Sequence, residues 1–195
     1  MVVGSAAGLL ALTDPRGVNQ TNRRRCDGVA RPDRAPRIRF VTVLEFSDSV
    51  VVALDPDSTY ALLSDVSRMG EWSPVCKSCW WDDPAAGAIV GAWFTGRNVT
   101  PERTWDTRSQ VVVADPGRQF TWEVNDGWVR WGFHLEPAEG GTRVTQAWTF
   151  LPKGIAGFRD RFGERADEEI ATRSEAALAG IPETLAAIKL SAEAV

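Results

Sequence analysis

The sequence predicts an α+β fold in which a curved antiparallel sheet of about seven strands wraps around a long C-terminal helix, with two short helices after the first strand. Short polar turns separate the strand-like segments, and strands joined this closely must pair antiparallel, because parallel neighbours need long crossovers. An apolar stripe at helical spacing runs through the C-terminal segment. All nine Trp lie between Trp72 and Trp148, which places the folded body outside the N-terminal residues.

The composition is that of one ordinary soluble domain, with 195 residues, 44% of them hydrophobic and 25% charged. A net charge of −4 gives no general attraction to nucleic acid or anionic lipid. The three cysteines are too few for a disulfide framework and favour a reducing compartment, so a cytoplasmic location is expected. The apolar stretch at residues 2–12 is too short to span a bilayer, and no integral membrane segment is predicted.

The N-terminal residues differ in character from the rest of the chain. Residues 1–40 are predicted to form a disordered Arg/Pro-rich extension, and residues 41–195 a ligand-binding domain. The extension shows no sustained helix or strand period, and it cannot bury enough apolar surface to offset the entropy of ordering. A basic arm for nucleic acid is the rival interpretation of its arginines.

The pattern of elements begins with a first strand over residues 44–54, followed by a helix-start signal at Asp55. Two short helices then end before Pro74. From residue 155 onward the chain is predicted to be helical, with a kink or break at Gly180 and Pro182. Six further strands are predicted at residues 77–82, 88–98, 103–114, 119–125, 129–136 and 143–151.

Such a sheet is too broad for one helix to cover. Seven strands at about 4.8 Å spacing span roughly 30 Å, whereas a helix with its side chains is about 10–12 Å across. The remaining space must be filled by large side chains or by a ligand. From the strand alternation and the expected mouth of this space, the candidate ligand-binding residues are Trp72, Phe94, Trp105, Trp122, Trp131, Gln146 and Trp148.

Gln146 stands apart from the aromatic candidates, each of which is also compatible with ordinary core packing. It is a polar amide on an apolar inward phase, and a buried amide needs a hydrogen-bonding partner, either a ligand or a buried water. Five other polar residues near the expected mouth, or beside inward positions, are candidates for ligand contact or for ordinary surface roles: Asp65, Glu71, Arg97, Asn98 and Arg103.

The sequence offers little conventional catalytic chemistry. His134 is the sole histidine and lies on the outward phase, so no histidine pair or Cys–His dyad can be assembled. The spacing of Cys76 and Cys79 is CxxC, but a second ligand pair for zinc is missing and the motif leads into a strand. These thiols are therefore interpreted as incidental. No metal or cofactor is predicted, and the catalytic residues, if there are any, are unassigned.

Several segments, in their order along the chain, carry a family resemblance: DVSRMGEWSP at 65–74, GAWFTGRN at 91–98, RTW at 103–105, PGRQFTWEV at 116–124, Trp131, GTRVT at 141–145, and Thr184, Leu185, Ile188 and Lys189 near the end. Together they resemble the START-like (SRPBCC, Bet v 1-like) superfamily, in the actinobacterial branch of polyketide cyclase/dehydrase and lipid transport proteins. The resemblance runs from about Leu44 to Glu193 and implies a helix-grip (START-like) fold with a hydrophobic pocket between the sheet and the C-terminal helix. Members bind lipids, steroids, quinones or polyketides, and some catalyse cyclisation or dehydration.

Three functional hypotheses follow. The first is a module that binds a small hydrophobic molecule of the lipid, polyketide or quinone type. The second is a polyketide cyclase or dehydratase in which Gln146, Arg103 or Glu71 orients the substrate. The third is a protein-interaction module whose pocket is collapsed. No oligomeric state is predicted.

Overall fold

The structure is a computed structural model that describes residues 44–194, so the predicted extension at residues 1–40 lies outside the described residues. It contains seven strands and four α-helices, in the order strand, two helices, six strands, two helices. The strands are β1 (Glu45–Val52), β2 (Cys76–Trp81), β3 (Trp93–Thr100), β4 (Arg103–Asp115), β5 (Gln119–Val124), β6 (Val129–Ala138) and β7 (Gly141–Phe150). The helices are α1 (Pro56–Ser64), α2 (Met69–Trp72), α3 (Pro152–Phe162) and α4 (Ala166–Glu193).

All seven strands form one antiparallel sheet with the order β1-β7-β6-β5-β4-β3-β2. Successive strands from β2 to β7 are neighbours, and β1 closes the sheet beside β7. Register shifts interrupt β2 between Cys76 and Ser78 and β4 between Val111 and Val113. Such bulges increase local twist and bend the strand, and they contribute to the curvature of the sheet. The predicted antiparallel α+β architecture is confirmed.

The two short helices after β1 form for local reasons. The carboxylate of Asp55 accepts hydrogen bonds from the backbone N–H groups of Asp57 and Ser58, and Pro56 occupies the first turn of α1. A single 3₁₀ turn (Val66–Arg68) then leads into α2. Gly70 lets α2 lie directly on β2, because a Cβ there would collide with the carbonyl oxygen of Lys77.

The predicted long C-terminal helix is confirmed as α4, but a separate helix precedes it. The chain forms α3 first, which ends at Gly163 with φ of 56°, and a 3₁₀ turn (Gly163–Arg165) separates it from α4. Of the kink or break predicted at Gly180 and Pro182, the break is wrong, because α4 is continuous over 28 residues. Proline removes one backbone hydrogen bond, and burial of Ile181, Leu185 and Ile188 offsets that loss.

The position of β3 also differs from the prediction. The strand begins at Trp93 and not at residue 88, because residues 83–92 form a turn-rich connection. Positive φ angles at Gly87 and Gly91, 62° and 90°, mark this connection. The other strands lie within a few residues of their predicted bounds, and the inward and outward phases assigned from alternation are those observed. The core lies between the inner face of the sheet and the helices, with α4 packed mainly against β1.

Candidate functional site

The inner face of the sheet is organised in cross-strand rows of large side chains. Antiparallel register places Trp148 between Phe46 and Trp131, and Trp131 beside Trp122. A second row places Gln146 beside Phe133, which in turn pairs with Phe120. Directly paired side chains on one face lie about 4.5–5.5 Å apart at Cβ, so each row forms a continuous surface. Four of the seven candidate residues, Trp122, Trp131, Gln146 and Trp148, are brought together on this surface.

Trp122 is the centre of an aromatic cluster. Its ring centroid lies 6.0 Å from that of Phe94 and 5.7 Å from those of Phe120 and Phe133. Tyr60 of α1 meets Phe120 edge-on at 6.4 Å. These separations and tilts are the favourable ones for aromatic pairs. The sheet face under α1 is therefore covered by aromatic rings. Phe94 contacts the candidate surface at Trp122.

A second aromatic cluster lies where α3 crosses the end of β7. Trp148 is 6.4 Å from Trp131 and 6.1 Å from Phe150, measured between ring centroids. Phe158 of α3 stacks edge-on against Phe150 at 5.0 Å. The indole of Trp128 contacts Phe158 from the other side at 5.7 Å. Sequence reasoning missed the role of α3, although Phe158 and Phe162 are two large apolar residues at i, i+4 spacing, which was the available signal.

Gln146 is the polar residue of this surface. It is only 6% exposed, and its side-chain oxygen Oε1 is buried without a hydrogen-bond partner. A carbonyl oxygen of this kind can only accept, so the missing partner is an N–H or O–H group. Leaving a buried acceptor unpaired costs about 1–3 kcal/mol. The position is therefore suited to a donor from a ligand or from a water molecule.

Trp72 and Trp105 lie at the margins of the candidate surface. The indole N–H of Trp72 donates to the hydroxyl of Ser191 in α4 at 3.0 Å, and Arg68 lies over its ring at 5.7 Å. Trp105 is only partly buried, and the guanidinium of Arg103 lies 4.2 Å above its ring. Trp72 thus ties α2 to α4, whereas Trp105 belongs to the outer end of β4.

The polar residues considered at the mouth are engaged elsewhere. Glu71 forms a two-point ion pair with Arg68, whose hydrogen bonds and charge lower the pKa of the Glu71 carboxyl. Asp65 accepts hydrogen bonds from the backbone and hydroxyl of Ser67. Both carboxylates are therefore engaged in structural contacts within the protein and not in contacts available to a ligand. A carboxylate with a lowered pKa is a poor general acid at neutral pH.

Arg97, for which ligand contact and an ordinary surface role were both open, has the surface role. It lies on the outer face of the sheet, paired at two points with Asp106 at 2.9 Å, with its guanidinium 5.5 Å from the ring of Trp80. Its neighbour Asn98 lies on the inner phase and donates to Thr107 Oγ1 at 3.1 Å. The alternation of the strand separates these two adjacent polar residues to opposite faces.

Two cavities stand out on the described residues, and neither corresponds to the whole candidate surface. One, of about 130 Å³, is lined by Leu44, Ile155, Arg159, Asp167 and Ile170 where α3 and α4 approach the start of β1. The other is an open groove of about 400 Å³ along the paired ends of β1 and β7, and of the candidates only Trp148 lines it. Pockets for drug-sized ligands usually have about 300–1,000 Å³. The cavity of about 130 Å³ is smaller than this range, and the groove of about 400 Å³ meets the candidate residues only at Trp148.

Residues 44–194 hold no group of three or more His, Cys, Asp or Glu side chains placed to bind a metal ion. Within the same residues, none of the helices is both long and apolar enough to cross a bilayer.

The sheet order, the two short helices after β1 and the C-terminal helix across the inner face define a helix-grip protein of the START-like superfamily. The chain belongs to the family described as polyketide cyclase/dehydrase and lipid transport, whose sequence profile matches residues 43–185. No curated protein matches the chain significantly.

Solved structures share the fold. A polyketide-cyclase-like protein of Corynebacterium glutamicum, determined by solution NMR, is 54% identical, with 80% of this chain and 96% of that chain covered and a TM-score of 0.59. The di-domain aromatase/cyclase StfQ of the steffimycin biosynthetic pathway is 18% identical, with 77% and 51% covered and a TM-score of 0.58. The KanY protein is 19% identical, with 76% and 97% covered and a TM-score of 0.54. The last two show the shared fold alone.

Proposed function

We propose that this domain binds a small, largely apolar molecule on the inner face of the sheet, beneath α3 and α4. The observation on which this depends is the unpaired Oε1 of Gln146, which is buried on the inner face where the register pairs Gln146 with Phe133 on one side and Asp48 on the other. An apolar residue of similar size would fill the same volume without the cost of an unpaired acceptor. A bound molecule with one hydroxyl or N–H group supplies the missing donor.

The surroundings of Gln146 define the chemistry of the ligand. Phe133 lies beside Gln146 in the same row, and Trp131 and Trp148 lie in the adjacent row; together these rings favour flat apolar ring systems. A polycyclic phenol or a reduced quinone combines such a ring with a hydroxyl donor. The family description includes both polyketide chemistry and lipid transport, which supports this class of ligand.

Helix α3 is the element whose movement would admit the ligand. Phe158 of this helix covers Phe150, which in turn contacts Trp148, and the cavity of about 130 Å³ lies beside Ile155 of the same helix. A shift of α3 away from the sheet would open a path from this cavity towards the two rows that contain Trp148 and Gln146. Such a lid-like displacement is a common way for a binding site to exclude water after entry.

A fluorescence titration tests the proposal with two ligands that differ by one group. The wild-type protein is titrated with a tricyclic phenol and with the same hydrocarbon lacking the hydroxyl, while tryptophan emission is followed. We expect saturable quenching by both and about tenfold tighter binding of the phenol. The Gln146→Leu variant should lose the preference and retain the hydrocarbon affinity, whereas Gln110→Leu on the outer face should behave as wild type. Flat titrations with both ligands would overturn the proposal.

The packed state of the inner face favours one alternative, a protein-interaction module with a collapsed pocket. Ring contacts of 5.0–6.4 Å join the aromatic residues, and the cavities at the surface lie mostly elsewhere. The enzymatic alternative has less support, because Glu71 is paired with Arg68 and Arg103 lies over Trp105. Of the three residues considered for orienting a substrate, only Gln146 is left, and an amide is neither a general acid nor a general base.

A further inference from the structure

Cys76 and Cys79 face the same side of β2, although residues three apart in a regular strand face opposite sides. The register shift between Cys76 and Ser78 inserts the extra residue that brings both thiols to the inner face. Their sulfur atoms lie 3.3 Å apart, within hydrogen-bonding contact. The bulge thus converts an ordinary CxxC spacing into a thiol pair.

The neighbouring strand leaves room for this pair. Gly96 of β3 is paired with Cys79, and a Cβ on it would lie 3.2 Å from the sulfur of Cys79 and 3.3 Å from that of Cys76. Any larger residue would press against both sulfurs at once. On the helical side, the thioether sulfur of Met69 lies 3.8 Å from Cys79 Sγ. The two thiols therefore lie between Gly96 of the neighbouring strand and Met69 of α2.

The two thiols differ electrostatically. The S–H of Cys79 donating to Cys76 holds the pKa of Cys76 below its usual value, with help from the positive charge of Lys77. The same hydrogen bond, together with burial, raises the pKa of Cys79 far above its usual value. One sulfur is therefore prepared to act as the nucleophile and the other to hold a proton, which is the division of roles found in thiol-exchange pairs.

We propose that Cys76 and Cys79 form a dithiol site that closes to a disulfide by exchange with a low-molecular-weight disulfide such as oxidised glutathione. The Cys76 thiolate attacks one sulfur of that disulfide, whose S–S bond breaks and releases one thiol after protonation. Cys79 then attacks the Cys76 sulfur of the mixed disulfide, and its proton passes to the second departing thiolate. Two protein thiols are oxidised, and one small disulfide is reduced to two thiols.

The position of the pair determines how exchange proceeds. Among the strands of residues 44–194, β2 lies at the edge of the sheet and pairs only with β3, and Cys76 is its first residue. Both cysteines are nevertheless buried, with 9% and 7% of their surface exposed. Exchange therefore follows local opening of the strand end, and its rate in the native protein is below that of the unfolded chain.

The experiment uses full-length protein with Cys26→Ser, so that only the pair is scored. The reduced protein is incubated with oxidised glutathione, and intact masses are measured over time, with the urea-unfolded protein as a reactivity control. We expect the native protein to lose two hydrogens without retaining glutathione. Adding Cys79→Ser should trap glutathione on Cys76, because the resolving thiol is absent. Adding Cys76→Ser instead should likewise leave a single thiol that can form only a glutathione adduct and no internal disulfide.

Two results would overturn the proposal. One is a native Cys26→Ser protein that stays fully reduced even over roughly a hundred times the period in which the unfolded chain reacts completely. The other is a native protein that accumulates one or two glutathione adducts without forming the internal disulfide. Circular dichroism of each variant establishes that it is folded, and the Cys76→Ala/Cys79→Ala double variant provides the unreactive reference.

Discussion

The indole N–H of Trp72 donates a 3.0 Å hydrogen bond to the hydroxyl of Ser191, a residue 119 positions further along the chain. Trp72 ends α2 and Ser191 lies in the last turns of α4, so this bond joins the two helices across one end of the inner face. Trp72 is almost fully buried, and its N–H depends on this partner. The hydrogen bond therefore fixes where the C-terminal helix sits on the sheet.

Removal of the Ser191 hydroxyl should lower the stability of the whole domain. We expect Ser191→Ala to lower the free energy of unfolding by about 1–2 kcal/mol, because the Trp72 N–H loses its partner. Urea denaturation followed by circular dichroism measures the loss. Ser191→Thr keeps a hydroxyl and should recover part of it, and Leu190→Ala, at a side chain 69% exposed, should change little. Equal effects of Ser191→Ala and Leu190→Ala would contradict the role assigned to this bond.

The unpaired acceptor of Gln146 gives a prediction opposite to the usual effect of a core substitution. We expect Gln146→Leu to leave the stability of the ligand-free protein unchanged or to raise it by up to about 2 kcal/mol, because an uncompensated buried carbonyl is removed. Trp148→Ala on the same strand should cost about 3–5 kcal/mol through lost packing. Thermal and urea denaturation of the ligand-free proteins compare them. A loss of more than about 2 kcal/mol in Gln146→Leu would mean that the protein itself satisfies the amide.

Two glycines in helices should respond to alanine in opposite directions. Gly70→Ala should destabilise the protein by about 2 kcal/mol or more, because the new Cβ overlaps the carbonyl oxygen of Lys77 and forces α2 from β2. Gly180→Ala should stabilise it by about 0.5–1 kcal/mol, since its Cβ would lie 3.4 Å from Pro74 and alanine is the better helix former. Parallel denaturation curves test both. A destabilised Gly180→Ala would show that α4 lies closer to Pro74 than described.

The hydrogen bonds of the Asp82 carboxylate lead us to expect that the stability of the protein depends on pH. Arg108 donates to it at 2.6 Å and Thr95 at 2.7 Å, and these hydrogen bonds lower its pKa from the ordinary value of 3.8. A carboxyl whose pKa is lower in the folded state stabilises the protein above pH 3.8, and this contribution is lost as the pH falls through the folded pKa. Because Arg108 is largely exposed, the contribution should be under about 1 kcal/mol.

Asp82→Asn measures this contribution. We expect the variant to be less stable than wild type at pH 6 and the difference to shrink at pH 3, which lies below the ordinary carboxyl pKa of 3.8, because the unfolded wild-type chain then takes up a proton. Chemical denaturation at both pH values gives the two differences. A difference that is the same at pH 6 and pH 3 would show that the ionised carboxylate is not the stabilising group.

Much of the fold could be predicted because its signals are local. Polar turns mark the hairpins, alternation marks the inner face, and Asp55 marks the start of α1. The continuity of α4 through Pro182 could not be predicted, because it depends on tertiary burial that outweighs a lost hydrogen bond. The separation of α3 from α4 is set by the φ of Gly163, which the helical pattern around it does not reveal.

The candidate site was predictable to the extent that it follows strand phase. Phe94, Trp122, Gln146 and Trp148 are buried on the inner face as the alternation indicates. The pairing of Cys76 with Cys79 could not be foreseen, because it depends on a bulge that reverses the phase within β2. The burial of Phe158 over Phe150 depends on the direction in which α3 leaves β7, and periodicity carries no information on that direction.

Native mass spectrometry after incubation with a mixture of fatty acids, tricyclic phenols and quinols tests the proposed binding most directly. The wild-type domain should retain one small molecule per chain, drawn from the members with a hydroxyl donor and a flat apolar ring. The Gln146→Leu variant should retain these poorly, while Gln110→Leu retains them fully. A wild-type protein that emerges with only its own mass from the whole mixture would contradict the binding of an apolar ligand on the inner face.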